Sequence, residues 1–142
     1  MKFGDMEEKI LAALEGGLPY LKTVGTYAGQ FEADVKTMPA PFPAAYVVYR
    51  GSSFEPVDSA NHMETADFTV LAAARGFSGG EDLRKSGYGI YRMTDDIILT
   101  LTNQRFGLDI APVRPLRLSL VFASKTVAVY AVDFRTSFDR TF

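Results

Sequence analysis

The chain contains no cysteine and a single histidine, His62. Without thiols it has no disulfide, no thiolate nucleophile and no Cys-ligated zinc or iron–sulfur site. One imidazole leaves no multi-histidine metal site within a chain. No apolar run approaches the roughly 20 residues needed to span a bilayer. Asp5, Glu7 and Glu8 stand where a signal peptide would be basic, so a cytoplasmic chain is expected. A basic excess is also missing. The net charge is −2, which disfavours a dedicated nucleic-acid module.

What is present is ordinary globular usage, 47% hydrophobic and 23% charged over 142 residues. A single domain, 1–142, large enough to bury a real core, is expected. Charge is unevenly spread. Residues 1–71 carry 5 Lys+Arg against 10 Asp+Glu, and residues 72–142 carry 10 against 7. These excesses fit solvated faces, or an acidic patch meeting a basic patch on another copy.

A first helix is predicted over residues 6–14, with Asp5 as N-cap and Gly16-Gly17 and Pro19 as stops. Strands follow over 20–26, 44–50 and 64–75. Residues 27–43, with Pro39, Pro41 and Pro43, read as irregular, with one helical turn possible over 31–36. Residues 51–63 read as a long polar loop, and such loops are often functional. After a flexible break at 76–80, a long helix is predicted over 81–102, its stripe including Leu83, Gly87, Ile90, Ile97 and Leu101. The order α-β-β-β-α-β-β argues for an α+β fold, a mainly antiparallel sheet with the long helix packed on it.

The strongest signal is LRLSLVFASKTVAVYAVDFRTSF at 116–138, two alternating runs around a polar break. A two-residue turn at Ser124-Lys125 would pair Leu118 with Ala131 and put Asp133 on the apolar face. A three-residue connection, Ala123-Ser124-Lys125, pairs Leu118 with Tyr130 and Leu116 with Val132, and is preferred. The predicted core is Phe68, Val70, Ile90, Ile97, Leu118, Leu120, Tyr130 and Val132. The opposite face holds Val121, Val127 and Val129 near the turn, too apolar for a solvated face. These three, with Phe54 and His62 of the 51–63 segment, form the candidate subunit interface.

No catalytic constellation assembles from the remaining motifs. Gly87-Tyr88-Gly89 lacks the third glycine of a dinucleotide loop, since Arg92 stands there, and it lies within a predicted helix. Gly79-Gly80 before Arg84-Lys85-Ser86 lacks phosphate-loop spacing. Asp95 and Asp96 diverge by about 100° on a helix and do not converge as an acid–base pair. Ser52 and Ser53 after Gly51 do not make a hydrolase elbow. His62, beside Asp58 and Glu64, has no visible catalytic or metal partners. The seven tyrosines read as core or interface aromatics.

Three stretches, in this order and spacing, resemble the Mu-like phage family of small tail proteins, the family of the Mu gene-K product. They are MEEKILAALEGGLPYLKTVGTYAGQFE, then PAAYVVYRG with TADFTVLAAARG, then LSLVFASKTVAVYAVDFRTSF. The resemblance spans nearly the whole chain. It implies a structural, non-enzymatic tail terminator or tail-completion protein, without cofactor or metal. Such a subunit closes a ring, usually of six, on the end of the tail tube. It would act in the host cytoplasm during assembly and remain in the virion tail. The implied partners are further copies of itself, tail tube and sheath proteins and the head–tail connector. No membrane is implied, and DNA only by passage through the ring. No individual functional residue carries over. The rival from the residues themselves is a small-ligand-binding or enzymatic α+β domain using the 51–63 segment around His62.

Overall fold

The computed structural model describes residues 2–27, 41–75 and 89–141. Readings that fall on 28–40 and 76–88 lie outside the described residues. These are the 31–36 turn, the 76–80 break and the first part of the second helix. The elements are α1 (Phe3–Gly17), β1 (Thr23–Thr26), β2 (Ala44–Pro56), β3 (Asn61–Arg75), α2 (Ile90–Leu101), β4 (Arg114–Ala123) and β5 (Val127–Thr141). The five strands form one sheet in the order β1-β2-β3-β5-β4. The sheet is mixed, because β1 runs parallel to β2 while the other three pairs are antiparallel.

Helix α1 starts earlier than predicted. Lys2 is its N-cap, and Asp5 lies inside the first turn, its carboxylate accepting the Lys2 backbone N–H at 3.2 Å. The extra turn brings Phe3 into line with Met6, Ile10 and Leu14, and all four are buried. Their spacing of three to four residues makes a single stripe along the helix. The described part of the second helix, α2, is 12 residues long and buries Ile90, Met93, Thr94, Ile97 and Leu101. Both helices pack on one face of the sheet, against Val47, Phe68, Val70, Val132 and Phe134. Phe68 and Phe134, directly opposite on β3 and β5, stack with centroids 5.2 Å apart at the centre of this layer.

The predicted 51–63 loop is a correction. β2 continues to Pro56 and β3 begins at Asn61, so most of the segment is a hairpin with a tight connection. Asp58 holds that connection, its carboxylate accepting the backbone N–H groups of Ala60 and Asn61 and the Asn61 amide. Polar composition misled the loop reading. Here β2 has left β1 behind and passes a bulge at Gly51, so polar side chains and Pro56 are tolerated on an edge strand. β1 in turn is shorter than the predicted 20–26 strand.

The final hairpin also departs from prediction. Ser124 and Val127 close a turn whose central residues are Lys125 and Thr126, the Ser124 N–H donating to the Val127 carbonyl at 2.8 Å. Leu118 faces Val132, and Leu120 faces Tyr130. The faces that meet are the ones expected, but Leu118 is displaced by two residues relative to the preferred register. The pairing shifts once between Leu120 and Phe122 and again between Pro115 and Arg117. Each shift inserts one unpaired residue into β4, Val121 and Leu116 respectively.

Candidate functional site

The structure divides the candidate interface residues. Val127 and Val129 are 0% and 1% exposed in the single chain, packed with Ala73 and Phe42 on the face away from the helices. They belong to the chain's own interior, which removes them from the candidate surface. Val121 and Phe54 are exposed, on β4 and near the β2–β3 tip. His62 is half-buried on β3 and pairs in register with Pro56 and Arg140.

Around His62 the alternation of three strands gathers a polar cluster. Ser52, Glu64 and Arg140 share one face. Glu64 is buried. The Ser52 hydroxyl donates to one of its oxygens at 2.7 Å, and the Tyr49 hydroxyl bonds Ser52 in turn. The Arg140 guanidinium Nε sits 2.5 Å from the other oxygen and lies over the Phe54 ring at 5.9 Å. The carboxylate is thus matched by a cation and a hydroxyl, which is what a buried charge needs to persist. The arrangement ties β2, β3 and β5 together. Among the described residues, no group of three His, Asp or Glu side chains is placed to hold a metal ion.

A cleft of about 480 Å³ lies elsewhere, between the end of α1 and the flank of α2, lined by Gly17, Pro19, Tyr20, Arg92 and Asp96. Asp96 is not a simple solvated residue, as its pairing with Asp95 suggested. The Tyr20 hydroxyl donates to it at 2.5 Å, and Arg92 lies 3.6 Å away with its guanidinium over the Tyr20 ring. The polar groups of this cleft satisfy one another and pin the residues after α1 to α2. On the opposite face of the sheet, Arg135 forks onto Asp67 with bonds of 2.7 and 3.0 Å. That hydrogen-bonded cation holds the Asp67 carboxyl below the usual carboxylate range.

The surface feature that sequence reasoning missed is β4. Leu116, Leu118, Leu120, Val121 and Phe122 are all exposed, Leu118 at 45% and Leu120 at 56%. Leu118 and Leu120 were expected in the core. They do face the helix side, but β4 is the outermost strand and α2 lies mainly over β3 and β5. Tyr130, also expected in the core, is half-buried, its ring edge-on to exposed Tyr91 of α2 at 6.3 Å. Five apolar side chains thus stand exposed on the strand that ends the sheet among the described residues. The alternation of Leu116, Leu118 and Leu120 could not show this, since it reports a shared face and not what covers it.

No helix among the described residues is long and apolar enough to cross a membrane. No curated protein matches the chain. The sequence model of one family, described as Bacteriophage Mu, Gp37, matches residues 3–139, taking in every strand but the last residues of β5 and both described helices. On that match the chain belongs to the Bacteriophage Mu Gp37 family of Mu-like phage proteins.

Proposed function

We propose that the chain is a structural tail-assembly protein that terminates the phage tail. Copies close a ring, of six by the family resemblance, on the end of the tail tube. The ring stops further addition of tube subunits and offers the surface that joins the head–tail connector. It does this by binding alone, with no reaction and no cofactor. It would act in the host cytoplasm during assembly and stay in the virion tail.

The observation that carries the reading is the exposed apolar edge strand β4 in a chain of this family. An edge strand is ordinarily blunted or covered, and one left apolar and open fits a subunit completed by association. The rival ligand-binding reading is the weaker one, because most of the supposed loop around His62 is a hairpin and the Glu64 carboxylate beside it is met by Ser52 and Arg140 of the same chain. The test is to delete the gene from an inducible prophage and image the particles. Tails of uncontrolled length without joined heads are expected, and restoration of the chain should restore uniform length. Tails of normal length joined to heads in the deletion would overturn the proposal.

A further inference from the structure

The two exposed apolar surfaces of this chain are opposite in charge. β4 and its turn, residues 114–126, carry Arg114, Arg117 and Lys125 and no acid, around exposed Leu116, Leu118, Leu120 and Val121. The β2–β3 tip carries Glu55 and Asp58 and no base, beside exposed Phe54 and Val57, the latter 63% exposed. Each surface thus combines exposed apolar side chains with charges of its own strand or turn, basic along β4 and acidic at the tip, while Asp133 of β5 stands opposite Arg117 and Arg140 of β5 lies over Phe54.

They cannot meet within one chain. β5 lies between β4 and the β2–β3 hairpin in the sheet. β4 begins level with Asp67 of β3, through Arg114 opposite Arg135 and Arg135 opposite Asp67. Beyond that level β3 continues through Asn61, a projection of six residues or roughly 20 Å at about 3.3 Å per residue. The arm is stiff. Three strands build it, the Glu64–Arg140 pair braces it, and Asp58 fixes its turn. The Asp58 carboxyl is held below its usual range, by the Asn61 side chain first and then by the backbone N–H groups of Ala60 and Asn61.

We infer that the β2–β3 tip of one copy docks on the β4 edge of the next. Phe54 and Val57 lie against Leu118 and Leu120, and Glu55 and Asp58 lie near Arg114 and Arg117. The inference rests on the ring proposed above and names its contact. Two different surfaces of the same chain make the contact heterologous, so each copy offers one free tip and one free β4, and repetition closes a ring or grows a filament. Charge complementarity favours a second copy over another tail protein, because both halves of the match are present in this chain.

The test uses two variants of the full chain and light scattering across a wide concentration range. One carries Leu118→Glu, which spoils β4 and leaves the tip intact. The other carries Glu55→Arg with Val57→Arg, which spoils the tip and leaves β4 intact. Circular dichroism and thermal melts check folding, and Leu120→Glu replaces Leu118→Glu if that variant unfolds. Wild type should form a closed oligomer, and each variant alone should remain at the 15.6 kDa mass of one chain. An equal mixture should give a 1:1 dimer and nothing larger, since one good tip meets one good β4. A wild-type oligomer that both variants also form overturns the tip–β4 contact and leaves the ring standing. A wild type that is monomeric at every concentration, with and without tail tube, overturns both. A mixture that stays monomeric also overturns the heterologous contact.

Discussion

Leu14 and Leu118 have the same side chain in two surroundings. Leu14 is fully buried between α1 and the sheet, and Leu118 is 45% exposed. Leu14→Ala should cost about 2–5 kcal/mol, the range for truncating a packed core leucine. Leu118→Ala should cost about 1 kcal/mol or less, because roughly half of the side chain's transfer free energy is never gained on folding. Denaturant midpoints of the two variants check this, and equal losses would show that β4 is covered in solution. Val129 lies in the interior, so Val129→Asp should lower the stability of the chain itself and not only its assembly. Asp67 supplies a pH dependence. Its folded pKa is depressed, chiefly by the Arg135 hydrogen bond. The associated stability is therefore present above the ordinary carboxylate value and is lost as pH falls through the depressed folded value. Chemical denaturation from neutral to acid pH should show this loss, and Asp67→Asn should flatten the profile in that window. The pair is partly exposed, so the effect is small.

At the scale of elements, two glycines hold positions that a side chain would disturb. Gly51 sits at the β2 bulge with φ of +112°, a conformation that costs an L-residue on the order of 1–3 kcal/mol. Gly51→Ala should lose stability of that order. It should also loosen the arm, which hydrogen exchange at residues 52–55 would detect as faster exchange. Gly17 ends α1 against α2, and a Cβ there would lie 2.6 Å from Thr100 Oγ1 and 2.7 Å from its methyl carbon. Gly17→Ala should therefore destabilise, and Thr100→Ser or Thr100→Ala in the same chain should recover part of the loss. The hairpin connection depends on Asp58, which accepts from two backbone N–H groups as an Asx turn does. Asp58→Ala should speed exchange at Ala60 and Asn61 while leaving the core amides of β3 protected.

For the whole molecule, the relevant quantity is the separation of charge along the chain. Acidic residues gather in α1 and the tip, and basic residues in β4 and its turn. A contact that joins opposite charges near the surface is screened by salt, with a Debye length of about 10 Å at 0.1 M falling to about 3 Å at 1 M. Association should therefore be slower and weaker at 1 M than at 0.1 M salt, measured by light scattering. The apolar side chains of β4 and the tip would keep the contact from vanishing. Association that strengthens uniformly with salt would identify an apolar interface without the charge match.

Much of this molecule is written in local pattern. The stripe of Met6, Ile10 and Leu14, the β-branched run at 44–48 and the alternation of 64–70 each depend on a period set by backbone geometry, so the existence of each described helix and strand was legible, while the polar strand segments 51–56 and 61–63 were not. The family is legible too, in the order of three short stretches. Position in the sheet is different, because it depends on partners far away in sequence. Nothing within residues 116–122 says that β4 is the last strand or that α2 lies mainly over β3 and β5, and those two facts turn a predicted core face into an exposed one. Nothing around Val127 and Val129 says that Phe42, some 85 residues earlier, lies against them. The register of the final hairpin turned on two single-residue bulges, which alternation cannot report because each resets it. The sequence determined which residues would share a face, since that follows from chain geometry alone. Only the tertiary structure decided which faces are covered, since that depends on the order of strands and the path of the helices across them.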